Sequence, residues 1–249
     1  ENTGKKSVSL DTYEALKFIN EAGFYRIHTA DLDKGRYDFV RIEDGVVNPS
    51  SAVEVREFVW AYILQSTKDS DVRNHFSARL TSDLGDDKLE RLERIDDDFD
   101  DFRPYLQNFY FKNGMLSMTS NGIEWNTAIL GQVWADKVIR HKFTRVPIID
   151  HVDYSPENGF KIVPTAAGSK CDFFKFLCYV SDFWWHKSEI SALEQQEYNQ
   201  HLLNKITAIG YLLCDYKYQT ELKAVIAMDG ELSDVGQSNG RTGKSLVGT

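Results

Sequence analysis

The last part of the sequence carries residue types that bind nucleotide phosphates. Residues 236–245 read Gly-Gln-Ser-Asn-Gly-Arg-Thr-Gly-Lys-Ser. In a phosphate-binding loop, glycines let backbone N–H groups close around the phosphates, a lysine reaches the β- and γ-phosphates, and the next hydroxyl binds Mg²⁺. Lys244 and Ser245 would take the last two roles. The residues predicted to bind the nucleotide are Ser238, Gly240, Thr242, Gly243, Lys244 and Ser245, and Ser245 is also the predicted metal ligand.

Two features of the surrounding sequence bear on this prediction. Ser238 occupies the position where the strict pattern has its first glycine. The apolar, β-branched run 223–229 predicts the buried strand that such a loop follows, although residues 230–235 make a longer connection than the tightest units have. The alternative is a flexible tail rich in glycine, serine and asparagine. We favour the phosphate-binding loop.

The chain ends at Thr249, one turn into the helix that the loop should open. Neither an acidic strand for Mg²⁺ and water nor an arginine finger follows before that point. We therefore expect the chain to be a fragment of a longer protein, and we expect the fragment alone to lack ATPase activity.

Composition places the chain among ordinary globular proteins. It has 249 residues, of which 42% are hydrophobic and 13% aromatic, enough for one large domain or two small ones. No run is long enough for a membrane span or resembles a secretory signal, so we expect a cytoplasmic protein with no membrane partner. The three cysteines form neither an even set nor a Cys-x-x-Cys pair, which argues against a disulfide scaffold and a zinc site.

The charge is unevenly distributed along the chain. Residues 69–101 hold twelve acidic and five basic side chains, which accounts for most of the net charge of −9. Aspartates at 96–101 lack the glycine and the later ligand of a calcium loop, so we interpret them as a solvated turn. By contrast, residues 137–145 hold four permanent positive charges and no acid. We predict that Arg140, Lys142 and Arg145 contact DNA phosphates; the alternative is a solvated surface that balances the acidic region.

Hydrophobic periodicity predicts an α+β fold that is helix-rich, with a small central antiparallel sheet. The loop sequence at 236–245 adds the first strand and phosphate loop of a truncated P-loop ATPase domain. The predicted helices cover 10–22, 52–64, 69–95, about 169–181 and 193–213, and the second of them begins at a capping box formed by Ser51 and Glu54. Predicted strands cover 24–28 and 36–42. Two Asn-Gly pairs, at 113–114 and 121–122, predict hairpin turns.

We divide the chain into three parts from these patterns. Residues 1–104 form a helix-rich N-terminal region with a small hairpin, and residues 105–222 form a second part that is β-rich over 105–168 and helical over 169–222; the resemblance described below implies that this second part is an accessory domain. Residues 223–249 begin the ATPase domain. Within the helical part, 183–186 (Phe-Trp-Trp-His) is interpreted as a packing corner rather than an exposed stacking surface.

Three segments in this order resemble a known family. They are 111–116 (Phe-Lys-Asn-Gly-Met-Leu), 209–213 (Ile-Gly-Tyr-Leu-Leu) and 238–245 (Ser-Asn-Gly-Arg-Thr-Gly-Lys-Ser). Together they resemble phage and plasmid helicases of superfamily 3, and more narrowly the poxvirus-type primase-helicase group, in which a helical accessory domain directly precedes the ATPase. The resemblance covers about residues 105–249.

The resemblance implies a homo-hexameric helicase that uses ATP and Mg²⁺ to unwind DNA at a replication fork, often with a primase fused upstream, in the cytoplasm of a bacterial host cell. Lys244 and Ser245 carry over as the phosphate and Mg²⁺ ligands. The accessory domain is expected to shape the ring or to contact DNA. Two alternatives remain: another P-loop NTPase, such as a packaging motor or a kinase, or a non-enzymatic DNA- or protein-binding scaffold module.

Overall fold

The computed structural model of the protein describes residues 8–27, 37–96, 99, 104–181, 183, 190–214 and 225. The chain divides into two compact units, Glu1–Phe143 and Thr144–Thr249. This division follows Phe143, whereas composition predicted the first boundary after residue 104. The predicted β-rich stretch 105–168 is consequently shared between the two units.

The described part of the first unit contains four α-helices and nine strands. The helices are α1 (Thr12–Glu21), α2 (Ala52–Ser66), α3 (Ser70–Asp83) and α4 (Asp86–Leu89). The strands are β1 (Phe24–Ile27), β2 (Asp38–Glu43), β3 (Val46–Ser50), β4 (Arg94–Ile95), β5 (Leu106–Phe111), β6 (Gly114–Thr119), β7 (Gly122–Asn126), β8 (Val133–Trp134) and β9 (Val138–Ile139).

A five-stranded sheet in the order β4-β1-β2-β3-β8 organises the first half of this unit. Strands β1, β2 and β3 are antiparallel, and the two short outer strands pair in parallel with their neighbours. The larger core joins this sheet to the helices through Leu16, Ile19, Phe24, Phe39, Val55, Val59, Leu84, Leu89 and Leu92. Each fully buried side chain of this kind contributes about 1.5–3 kcal/mol. A smaller cluster is centred on Ile27, Val40 and Val47.

Local capping chemistry explains where the helices begin. At α2, the Ser51 hydroxyl accepts the backbone N–H of Glu54 at 3.2 Å, and the Glu54 carboxylate accepts from the Ser51 hydroxyl at 3.1 Å. These bonds satisfy a backbone donor that has no partner within the helix. The predicted start of this helix is therefore confirmed.

The helix predicted over 69–95 does not extend to its end. It is divided into α3 and α4, and residues 94–95 form strand β4 beside β1. The Arg26 side chain donates to the Leu92 carbonyl oxygen at 2.8 Å, and the Arg26 backbone N–H donates to the Glu93 carbonyl oxygen at 3.0 Å. These distant hydrogen bonds outweigh the helical pattern of the local sequence.

A separate four-stranded sheet has the order β7-β6-β5-β9. Strands β5, β6 and β7 form an antiparallel meander, and β9 pairs in parallel with β5. Both predicted hairpins are present, with Gly114 (φ 144°) and Gly122 (φ 141°) directly after their two-residue turns. Only glycine adopts this backbone conformation readily.

The described part of the second unit combines a hairpin with two helices. Its elements are β10 (Ile149–Ser155), β11 (Gly159–Pro164), α5 (Asp172–Tyr179) and α6 (Ala192–Leu213). Their core consists of Ile162, Phe174, Leu177, Cys178, Phe183 and Leu202. Phe183 is 2% exposed, whereas residues 184–186, which complete the predicted packing corner, lie outside the described residues. The predicted helix over 193–213 is present, but Leu213, predicted to face inward, is 56% exposed.

The α+β class is confirmed. Instead of one small central antiparallel sheet, the described residues form a five-stranded and a four-stranded mixed sheet and a two-stranded hairpin. In this part of the chain no helix combines the length and the apolar character needed to cross a bilayer. The predicted first strand and phosphate loop of the ATPase domain lie outside the described residues, apart from Val225.

Candidate nucleic-acid interface

The predicted nucleotide-binding residues lie outside the part of the chain that the structure describes. They are Ser238, Gly240, Thr242, Gly243, Lys244 and Ser245. Of the strand predicted to precede them, only Val225 is described; it is 42% exposed and is not part of a helix or a strand. The described residues bear instead on the other predicted site, the basic segment 137–145.

One face of the four-stranded sheet is rich in aromatic and other apolar side chains. Directly opposed residues share a face, and the register places Phe109 opposite Leu116 and Leu116 opposite Trp125. Phe111 lies two residues beyond Phe109 and therefore shares this face. The complete set is Gln107, Phe109, Phe111, Leu116, Met118, Ile123 and Trp125.

These side chains are not part of the hydrophobic cores of the unit. Neither core cluster in the described part of the first unit includes a residue of β5, β6 or β7. Phe109, Phe111 and Trp125 are half-buried, and Ile123 is 47% exposed. The face therefore remains partly accessible to solvent.

Phe143 packs on this face from a distant part of the sequence. Its ring centroid lies 4.9 Å from that of Trp125 at an interplanar angle of 29°, a stacked arrangement. It also lies 5.0 Å from the Phe111 ring, and the Phe111 and Trp125 centroids are 6.2 Å apart. Aromatic pairs at these separations attract each other beyond the area they bury. Phe143 is itself half-buried, so the three rings form a small aromatic cluster at the surface.

The segment before Phe143 is fixed to the β5–β6 turn by hydrogen bonds. The Asn113 side chain accepts the backbone N–H of Phe143 at 2.7 Å and donates to the Phe143 carbonyl oxygen at 2.9 Å. The Lys112 backbone N–H donates to the His141 carbonyl oxygen at 3.2 Å. Together with the pairing of β9 and β5, these bonds hold residues 138–143 beside the aromatic face.

Several exposed, positively charged side chains lie close in the sequence to the residues of the aromatic cluster. Lys112, Lys137, Arg140 and Lys142 are all exposed, and none of them forms an ion pair with a described residue. Residues 104–143 hold only two carboxylates against these four positive charges. The third predicted phosphate contact, Arg145, is exposed as well but belongs to the second unit. The structure thus places Arg140 and Lys142 in the unit that carries the aromatic cluster.

Half-exposed aromatic rings beside unpaired cations suit one class of ligand. Nucleobases stack on aromatic side chains, and lysine and arginine contact the phosphates between the bases. This combination recurs in sheets that bind single-stranded nucleic acids.

Other chemistry is less well supported by the described residues. They contain no group of three His, Cys, Asp or Glu side chains that could hold a metal ion. Burial raises the pKa of the Cys178 thiol to about 12, so it is protonated and unreactive near neutral pH. His151 lies between the carboxylates of Asp150 (2.8 Å) and Asp153 (3.3 Å), but all three side chains are exposed, as in an ordinary polar surface cluster.

Reasoning from the sequence found the basic segment and missed the aromatic face. The run of three aromatic residues at 109–111 could have indicated an aromatic strand, although it does not alternate with polar residues and so does not show which rings share a face. The contribution of Phe143 had no such signal, because it depends on ring contacts with Trp125 and Phe111, which lie 18 and 32 positions earlier in the chain. No protein-family model matches this chain, and no curated protein or solved structure matches it.

Proposed function

We propose that this chain is part of a replicative DNA helicase of the primase-helicase type. Residues 236–245 would bind ATP and Mg²⁺, and the region before them would contact DNA. The observation that carries the proposal is the Gly-Arg-Thr-Gly-Lys-Ser sequence at 240–245, which has the residue types of a phosphate-binding loop.

The nucleotide-binding half depends on two side chains. The Lys244 ammonium group would neutralise the β- and γ-phosphates, and the Ser245 hydroxyl would bind Mg²⁺. Gly240 and Gly243 would let the backbone approach the phosphates closely. DNA unwinding needs ATP hydrolysis, so the motor would also need residues that activate water. Those residues, and the contacts of the proposed hexameric ring, would lie in other parts of the motor.

Support for the DNA-binding half comes from Arg140 and Lys142. Both are exposed, unpaired among the described residues, and held near an aromatic face by the β5–β9 pairing. Phosphate contacts of this kind give affinity without sequence specificity, which suits a motor that moves along DNA.

Nucleotide binding by the protein, extended by its own reading frame beyond Thr249, tests the proposal. Binding of a fluorescent ATP analogue with Mg²⁺ is compared between this protein and its Lys244→Ala variant. Hydrogen bonds to charged groups contribute about 1.5–3 kcal/mol, so we expect affinity to fall by about tenfold or more. Lys161→Ala is the matched control, because Lys161 is an exposed lysine without a described ion-pair partner.

Equal affinity for the ATP analogue in the wild-type protein and the Lys244→Ala variant would show that Lys244 does not contribute to nucleotide binding, which would contradict the proposed phosphate-binding loop. Strand separation of a forked duplex by the extended protein, with loss of this activity in Lys244→Ala, distinguishes a helicase from a kinase. ATP hydrolysis without strand separation would favour another P-loop NTPase.

A further inference from the structure

We propose that the aromatic face of the four-stranded sheet is a platform for single-stranded DNA, on which unpaired bases stack while flanking cations contact the phosphates. The platform consists of Phe109, Phe111, Trp125 and Phe143. The flanking cations are Lys112, Arg140 and Lys142. This inference goes beyond the proposed phosphate contacts, because it assigns a base-binding role to side chains outside the basic segment.

Accessibility is the first argument. An aromatic cluster that serves only as core is buried among other apolar side chains, as Phe24 and Phe174 are in this protein. The platform rings are half-buried and belong to none of the three core clusters in the described residues. Bases can therefore reach the rings without unfolding the sheet.

The second argument is the order of side chains along the chain. Lys112 directly follows Phe111, and Lys142 directly precedes Phe143. Two cations are thus one residue away from two stacking rings. Neighbouring side chains of an extended segment point to opposite sides, so each lysine would use its long side chain to contact a phosphate from the edge of the platform while the bases stack on the rings.

The third argument is the distribution of charge, which favours a nucleic acid over an apolar protein as the partner. The whole chain carries a net charge of −9, which repels nucleic acids, whereas residues 104–143 carry more positive than negative side chains. An apolar protein partner would leave these cations without a counter-charge. Single-stranded nucleic acid supplies both the counter-charge and the flat apolar surface.

The choice of DNA instead of RNA rests on the proposed function, whereas the stacking platform does not. Rings stack on bases of either kind, and discrimination between them depends on contacts with the 2′-hydroxyl group.

Fluorescence anisotropy with a labelled oligothymidylate of about 15 nucleotides tests the platform at several salt concentrations, using the 249-residue chain. The key variant is Phe143→Leu, which keeps an apolar side chain but removes the ring. Stacking on one aromatic side chain changes affinity by about 5- to 100-fold, and we expect a loss in this range. Phe143→Tyr keeps the ring and should bind as the wild-type protein does. The matched control is Phe173→Leu, since Phe173 is an exposed aromatic residue of the second unit.

A second variant tests the cations without disturbing the sheet. Lys112→Gln combined with Lys142→Gln removes two exposed charges and should reduce the slope of log affinity against log salt by about 1.4, or 0.7 for each phosphate contact. Lys161→Gln combined with Lys170→Gln removes two exposed charges from the second unit and should leave the slope unchanged.

The platform would be overturned if Phe143→Leu bound the oligothymidylate with wild-type affinity while circular dichroism showed that the variant is folded. An unchanged salt slope in the Lys112/Lys142 variant would overturn it as well, even if Phe143→Leu failed to fold. Binding of duplex DNA as tightly as the single strand, or of oligouridylate more tightly than oligothymidylate, would also contradict the proposal. Oligothymidylate binding is measured without nucleotide, so failure of the nucleotide loop and failure of the platform are distinguishable.

Discussion

Asn113 holds Phe143 by two hydrogen bonds, one in each direction. The Asn113 amide oxygen accepts the Phe143 backbone N–H at 2.7 Å, and its amide nitrogen donates to the Phe143 carbonyl oxygen at 2.9 Å. One side chain thus satisfies both backbone groups of a residue thirty positions later in the chain. This connection joins the β5–β6 turn to the basic segment.

Replacing Asn113 by alanine should release the segment that carries Phe143. The half-buried backbone groups of Phe143 lose their partners, so we expect the free energy of unfolding to fall by about 1–3 kcal/mol. Urea denaturation measures this change. Asn121→Ala is the control, because Asn121 occupies the equivalent position in the next hairpin and is exposed. An equal loss in the two variants would show that the effect comes from the turn and not from the link to Phe143.

Gly114 and Gly122 should differ in their tolerance of alanine. Both adopt a positive φ that costs another residue about 1–3 kcal/mol. A Cβ atom at Gly114 would also collide with the Asn126 carbonyl oxygen and lie 2.8 Å from the Trp125 ring, whereas nothing lies within 4 Å at Gly122. We therefore expect Gly114→Ala to lose more stability in urea denaturation. Similar losses in both variants would contradict the steric argument.

Asn199 should be essential to the packing of α6 on the hairpin. It is 3% exposed, accepts the Ile162 backbone N–H at 2.8 Å and donates to the Gln195 carbonyl oxygen at 2.7 Å. Asn199→Leu leaves the buried Ile162 N–H without a partner, and we expect a loss of about 1–3 kcal/mol. Thermal unfolding of the variant measures it. Gln200→Ala removes only an exposed bond to Asn204 and should cost less than about 0.5 kcal/mol.

Cys178 should react with iodoacetamide much more slowly than Cys171 and Cys214 at pH 8. Cys178 is buried, whereas the other two are half-buried. Burial raises the pKa of the Cys178 thiol from 9.0 to about 12, and only the thiolate attacks the reagent. Mass spectrometry of the alkylated peptides measures the three rates, and all three thiols should react alike in urea. Equal rates in the folded protein would contradict the buried position of Cys178.

The raised pKa of the Cys178 thiol also makes the free energy of unfolding depend on pH in the alkaline range. Well below pH 9 the Cys178 thiol is protonated in both the folded and the unfolded states, so its contribution is constant. Between pH 9 and about 12 the unfolded chain loses this proton while the folded protein retains it. The unfolded state is then favoured, and stability should fall with rising pH in this window. Cys178→Ala should show a smaller decline in pH-dependent urea denaturation.

Local signals in the sequence were sufficient for elements whose ends depend on neighbouring residues. The start of α2 follows from Ser51 and Glu54, and the two hairpins follow from glycines at 114 and 122. Long-range pairing was not predictable in the same way. Strand β4 is extended because β1 lies beside it, although its own sequence continues a helical pattern.

The candidate site shows the same division. The cations at 140 and 142 were recognised from the sequence because they are close together in it. The aromatic platform depends on the register of three strands and on the return of Phe143, which no local pattern encodes. The division of the chain after Phe143 also depends on long-range contacts, since β8 and β9 pair with strands from earlier in the chain.

Strand β8 also has a consequence for synthesis on the ribosome. Val133 and Trp134 pair with Val46 and Val47 and provide one border of the N-terminal sheet. A nascent polypeptide that has emerged only to residue 104 therefore exposes the free hydrogen-bonding groups of β3 at that border, which is where unpaired strands associate with other chains. A fragment that ends at residue 104 would keep these backbone groups of β3 unpaired, whereas a fragment that ends at residue 143 would retain β8 and its pairing with β3.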